Sequence, residues 1–354
     1  MRPIRRFIGL VLTSALILTN SLMAHAAPQA NATAYLPIAS KPYPLLNDIV
    51  NVIEPAAQGG VFNTPLDATP DPAGTKIYFT AKSAHGAGVF SVPITGGNAV
   101  SITVGTPFSV PTGLAMSMNG QMIYVADPSV PMPSTIVASG GNQVKQAVTK
   151  GALFRVPATG GTPQVIAGTE RTSPRGLEVG QEKGEDMIYF LGNNPSNGEP
   201  AVMKIPASGG ALTILHQGAP FVNPGGVSLN RANAVWLVTD DAASGNGLGS
   251  IFRLDANGQI TTLADHVLMG KPAGVALTFD ESAALVSTLD PNTGTSQVLV
   301  INMTTGEQGI MNKVINVNHA SGGLHRARNS TVMAWCGVTA GSGGQGIVFR
   351  VEFK

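Results

Sequence analysis

Short apolar strands recur along this chain at an even spacing, and each set is introduced by a Pro-x-Gly. These stand at Pro111-Thr112-Gly113, Pro174-Arg175-Gly176, Pro224-Gly225-Gly226 and Pro272-Ala273-Gly274, with starts 63, 50 and 48 residues apart, and Ser321-Gly322-Gly323 follows 49 later. In the first unit, Thr75 to Thr80 and Gly88 to Pro93 read as strands bounded by turn residues. Met122 to Ala126, Met187 to Leu191, Val235 to Thr239, Ala284 to Thr288 and Thr331 to Cys336 fill the same second-strand place in later units. Ala152 to Val156, Ala201 to Ile205, Ser250 to Leu254, Gln297 to Ile301 and Gly346 to Val351 fill the third. A glycine turn then repeats at Gly97, Gly161, Gly210, Gly258 and Gly306, 64, 49, 48 and 48 residues apart. Two-residue hairpins are expected there, because they require positive φ, which glycine adopts without penalty.

A period near 50 with several short strands per unit predicts stacked four-stranded sheets, since one such sheet cannot bury both faces alone. Six units start near Thr64, Pro111, Pro174, Pro224, Pro272 and Ser321, which gives an all-β, six-bladed β-propeller with four-stranded blades. The last unit reaches Lys354 after only three strands, while Asp48 to Ile53 forms an orphan strand near the start. That N-terminal strand is expected to complete the last blade and close the ring, leaving no open seam. The stretch from Pro128 to Gly151 interrupts the second blade as an inserted loop or small hairpin.

Ahead of the repeats, Arg2, Arg5 and Arg6 precede an apolar run from Phe7 to Leu18 and the small residues of Ala24-His25-Ala26. This is the pattern of a cleaved export signal. The expected organisation is a signal peptide over 1–26, a Pro/Ala-rich exposed leader over 27–46 and one propeller domain over 47–354, secreted or periplasmic. Later apolar runs are too short for a membrane span, so no membrane insertion is expected. Charged residues make up 12% of the chain and the net charge is +1, which gives no electrostatic footprint for nucleic acid. Cys336 is the single cysteine, which excludes an intramolecular disulfide and points to a buried free thiol.

Ile77-Tyr78-Phe79-Thr80 running on to Phe90-Ser91-Val92-Pro93-Ile94-Thr95-Gly96-Gly97 resembles a TolB-type blade. Pro111-Thr112-Gly113-Leu114-Ala115 with Ile123-Tyr124-Val125-Ala126-Asp127 is similar to NHL and SMP-30/gluconolactonase-like blades. The resemblance covers nearly all of the expected mature chain and implies the six-bladed fold, which hosts many unrelated activities. In lactonase-like members it further implies an Asn or Asp at the middle of the Pro-x-Gly, holding a divalent cation in the channel. Here those positions are Thr112, Arg175, Gly225, Ala273 and Gly322, with Leu66 as the first-blade counterpart. A Ca²⁺ site needs about six to eight oxygen ligands. The set lacks carboxylates and carboxamides, so no metal or other cofactor is expected.

Candidate chemistry remains in two places. Asp127, Asn193, Asp240 and Asp290 stand where second strands run out toward the long loops, as ligand-binding groups or as ordinary turn residues. Glu178 and His325 share a register two residues beyond the repeated glycine, as an acid/base pair or a structural network, with Arg175 and Arg326 as anion-binding candidates. The leading reading is a monomeric binding propeller without chemistry of its own, holding a peptide, glycan or protein partner on its long-loop face and central channel. The alternative is a lactonase- or esterase-type hydrolase of the SMP-30-like group with an atypical metal site.

Overall fold

The computed structural model describes residues 45–46, 50–132, 138–139, 142–143, 150–311 and 321–353. The expected signal peptide, Asp48, Ile49 and Val144 to Val148 lie outside the described residues. Six four-stranded antiparallel sheets follow one another in chain order. Their innermost strands are Thr64–Pro70, Gly113–Met116, Leu177–Glu182, Pro224–Leu229, Val275–Leu277 and Ser321–Arg326. The Pro-x-Gly units lead into these strands. The sixth blade is completed from the other end of the chain: Val50–Gln58 pairs antiparallel with Ile347–Phe353.

Strict alternation makes each blade two-faced. Ile77, Phe79 and Ala81 pack with Ala334, Cys336 and Val348 of the sixth blade, whereas Tyr78 faces Leu114, Val125 and Phe154 of the second. Six clusters of this kind each join two neighbouring blades, so the burial that stabilises one sheet requires the next. Trp335 points into the fifth–sixth seam and Cys336 into the sixth–first seam. The Cys336 thiol is fully buried, and burial, then the charge of Asp67, raises it far above its ordinary value.

Two local features differ from expectation. The repeated glycine turn is not a two-residue hairpin. The amides of Gly96, Gly160 and Gly209 bond to the carbonyls of Pro93, Pro157 and Pro206, a turn ending on glycine at φ of +85°, +94° and +91°, but the flanking strands first pair at Ser91 with Val100, Arg155 with Gln164 and Lys204 with Thr213. The glycine requirement stands, at a wider turn. Leu45–Leu46, inside the expected leader, pairs in parallel with Ile310 and Met311 and adds a fifth strand to the fifth blade. An exposed outer strand offers unpaired backbone groups for this. Within the second-blade insertion, Ala138–Ser139 pairs with Asn142–Gln143 as a small hairpin, one of the two expected forms.

Because strands alternate in direction, the Pro-x-Gly lead-ins and the loops after second strands emerge at one end of the channel. The hairpins between first and second strands emerge at the other. The two ends are called here the long-loop mouth and the hairpin mouth.

Candidate functional site: the central channel and its two mouths

The glycine of Pro-x-Gly is sterically enforced. A Cβ at Gly226 would stand 2.0 Å from the Ala273 carbonyl, and one at Gly176 would stand 2.3 Å from the Gly225 carbonyl. The register is shown by pairing, Gly113 opposite Ala126 and Gly226 opposite Thr239, and in the first blade Asp67 stands opposite Thr80 in the same place. One blade of six therefore puts a carboxylate where the other five have glycine. Space for it exists because its neighbour is Gly323, where an added Cβ would fall 1.7 Å from Asp67 Oδ1.

Asp67 is buried and ties three blades together. Its Oδ1 accepts the Ala68 amide at 2.9 Å, and its Oδ2 accepts the Leu114 amide of the second blade at 2.8 Å. The same oxygen lies 3.1 Å from His325 Nε2 of the sixth blade. On the other side of the ring, Glu178 Oε2 lies 3.5 Å from His325 Nδ1, within ion-pair reach but without hydrogen-bond alignment. Burial alone would push the histidine toward its neutral form. The two carboxylates, Asp67 foremost, outweigh it and raise His325 to about 10. The expected Glu178 and His325 are thus brought together, with Asp67 as the third member.

The long-loop mouth is a small space of about 220 Å³, lined by Thr112, Gly225, Ala273 and the upper sides of Asp67 and His325. Its polar residues are turned into their own backbone. Asp127 is fully buried and accepts the amides of Ser109, Val110 and Ser129 at 2.7, 3.0 and 3.0 Å. Asp240, also fully buried, accepts those of Val222, Asn223 and Ala242 at 2.7, 2.9 and 3.1 Å. Both clamp the same local sequence, Gly-x-Pro-Phe-x-x-Pro, at Gly105 to Pro111 and at Gly218 to Pro224. Asn193 donates to the Gly198 carbonyl and Asp290 accepts the Asn292 amide, both inside their own loops. Arg175 reaches the Pro224 carbonyl at 3.4 Å, and burial pulls it below its ordinary value against the attraction of Asp241 and Asp240.

The hairpin mouth holds the larger recess, about 490 Å³ including its opening. Thr69, Ser117, Ser228 and Glu178 give it polar walls, Met116, Met118, Val179 and Leu229 apolar ones, and Arg326 and Arg328 stand over it. Arg326 donates from Nε to the Leu277 carbonyl at 2.8 Å, and its guanidinium lies 5.4 Å from the Phe279 ring. Arg231 stacks on the same ring at 3.9 Å, and Arg328 donates to the Arg231 carbonyl. Of this group only Arg326 was expected. The signal for the rest is the repeat itself: Arg231, Phe279 and Arg328 are 48 and 49 residues apart, in successive first hairpins.

The metal position implied by the lactonase resemblance can be tested on donor chemistry. Leu66, Thr112, Arg175, Gly225, Ala273 and Gly322 supply one hydroxyl, one guanidinium and no carboxylate. These residues do not fit a divalent cation. Among the described residues no group of three or more His, Cys, Asp or Glu side chains is placed to hold a metal ion.

No protein-family model matches this chain, and no curated protein does. Solved structures match in fold. A PQQ-bound aldose sugar dehydrogenase from Streptomyces coelicolor aligns at TM-score 0.59 and 12% identity, over 88% of this chain and 100% of the other. The gluconolactonase XC5397 from Xanthomonas campestris aligns at 0.56 and 13%, over 88% and 98%. A putative TolB from Agrobacterium tumefaciens aligns at 0.54 and 12%, over 82% and 91%. At these identities the likeness establishes the six-bladed propeller, and one fold with three such different descriptions carries no activity with it.

Proposed function

We propose that this chain is an exported propeller that binds a ligand or partner at its central channel and performs no covalent chemistry. The observation that carries this reading is the His325 ion-pair network. A general base must be free of its proton near the working pH, and an imidazolium held between Asp67 and Glu178 up to about pH 10 is not. Asp127 and Asp240, the other buried carboxylates near the channel, already accept three backbone amides each. What the channel offers is shaped surface with fixed charge. That suits recognition of a peptide, a glycan or a partner protein by a monomer, with no resident metal. Export rests on the basic residues, apolar run and small residues that open the chain.

The test is turnover of a panel of lactones and esters by the purified mature protein, with and without Ca²⁺ and with chelator. No rate above background is expected. A chelator-sensitive rate abolished by Asp67→Ala or His325→Ala would replace this reading with the lactonase-type hydrolase, the alternative that the fold likeness to a gluconolactonase keeps open.

A further inference from the structure

Three arginines converge on the hairpin mouth, and none of them is ion-paired with a carboxylate among the described residues. Their guanidiniums donate to backbone carbonyls and lie against the Phe279 ring: Arg326 from Nε to Leu277 and from Nη1 to Ala327, Arg328 and Ser330, Arg328 from Nη2 to Arg231, and Arg231 from Nη2 to Phe279 while stacked on that ring. Among the described residues the one carboxylate contact is the Arg231 main-chain amide on Glu281. Glu178 does not neutralise them by contact, because its Oε1 accepts the Val179 amide and its Oε2 faces His325. The charges are close enough to be felt. Burial pulls Arg326 below its ordinary value, Arg231 and Arg328 pull it further, and Glu178 and Glu281 oppose them. Arg328, bonded only from Nη2 among the described residues, and the Nη2 of Arg326 keep donors beside the recess that both residues line, and guanidinium donors without acid partners favour an oxyanion.

The rest of the recess restricts what carries that oxyanion. Met116, Met118, Pro70, Pro72, Val179 and Leu229 give an apolar lining beside the arginines. We infer that the hairpin mouth is a site for a carboxylate attached to a short apolar body, with Arg328 and Arg326 holding the carboxylate and the methionine and proline walls holding the body. A free short-chain acid and the C-terminus of a peptide ending in an apolar residue share this chemistry. The inference rests on the reading of the chain as a binding propeller and names the ligand class of its channel.

Calorimetric titration of the mature protein with hexanoate, hexanol and inorganic phosphate separates the two parts of the ligand. Saturable hexanoate binding is expected, at least tenfold tighter than either hexanol or phosphate. Arg328→Gln should weaken it at least tenfold, while Arg175→Gln at the other mouth should change it less than twofold. Acetyl-Ala-Leu with a free or an amidated C-terminus tells the sources apart: the free form binding tighter than hexanoate assigns a peptide terminus, and binding weaker than hexanoate assigns a free acid. Should Arg328→Gln not fold, protection of Arg328 from phenylglyoxal by hexanoate, mapped by mass spectrometry on the wild-type chain, gives the same answer. Absence of hexanoate binding, equal binding of hexanol or phosphate, or binding indifferent to Arg328 each overturns the inference. None of these outcomes touches the binding reading itself, which only turnover removes.

Discussion

The two mouths of the channel are built from the same repeat and treat charge in opposite ways. At the long-loop mouth, Asp127 and Asp240 are drawn into the protein by three backbone amides each. At the hairpin mouth, the guanidiniums of Arg231, Arg326 and Arg328 form no ion pair with a carboxylate among the described residues and donate to backbone carbonyls. The cause lies in the connections. Long lead-ins such as Gly105 to Pro111 leave amides without sheet partners, and a buried amide must find an acceptor, so acidic side chains nearby are used by the loop itself. Short hairpins satisfy their own backbone amides, as the Gly120 amide does on Ser117 and the Asn233 amide on Asn230, so their side chains serve no amide. The arginines donate to hairpin carbonyls instead, and Arg328, bonded only from Nη2 among the described residues, keeps donors for a ligand. A polar residue in a long propeller loop is therefore weaker evidence of a site than one at the end of an inner strand.

The largest effect should come from removing what both mouths depend on. Deleting Val50–Gln58 strips the outer strand from the sixth blade and uncovers Val348 and Phe349. Complete loss of the cooperative thermal transition is expected. A folded deletion variant would mean that closure of the ring is not needed for either mouth to form.

Next is the partition between the mouths. Asp67→Ala removes the acceptor of the Leu114 amide and leaves His325 buried beside Glu178 alone. Breaking a buried ion pair from one side costs about 3–5 kcal/mol, read by urea denaturation at pH 7. The pH dependence has a definite sign. His325 is raised from 6.5 to about 10 in the folded protein, so its contribution is complete below pH 6.5, shrinks as pH climbs, and is gone above about 10. The stability difference between wild type and His325→Gln should narrow along that course. A difference constant from pH 6 to 10.5 would show that the histidine is neutral and the pair a simple hydrogen bond.

These features were unequally legible in the sequence. Blade number, strand order and N-terminal closure were readable because glycine punctuation and two-residue alternation are imposed locally, on every unit. Glu178 and His325 were found by register. Asp67 was not legible from the lactonase resemblance, which points to Leu66; its signal is the next position, an Asp in a column of glycines. Asp127 and Asp240 were visible, but their role was not. It depends on the twice-used Gly-x-Pro-Phe-x-x-Pro lead-in that each clamps, and on burial, which a residue type does not report.

A smaller effect sharpens the contrast at the long-loop mouth. Asp127→Ala should cost about 2–3 kcal/mol, since amides that lose a charged acceptor regain only part of it from water. Asp240→Ala should cost the same and the two should add, because each carboxylate serves a different lead-in. Hexanoate binding at the hairpin mouth should be unchanged in both. A variant that keeps its stability and loses a ligand would move Asp127 from the loop's structure to the site.

The smallest effect is expected at Asp290, and it decides whether the long-loop mouth has any charge to spare for a cation. Asp290 is half-buried, and its Oδ1 accepts the Asn292 amide at 2.8 Å. The turn does not depend on that bond. The Asp290 amide donates to the Thr295 carbonyl at 2.8 Å and the Gly294 amide to the Asp290 carbonyl at 2.7 Å, both from the main chain. Asp290→Ala should therefore shift stability by less than about 0.5 kcal/mol, the usual size for a surface change. Its melting temperature should be as indifferent to Ca²⁺ as that of the wild type. If Ca²⁺ raised the wild-type melting temperature and Asp290→Ala abolished the rise, the long-loop mouth would hold a cation after all, and the two mouths would differ in the sign of the ligand that each takes.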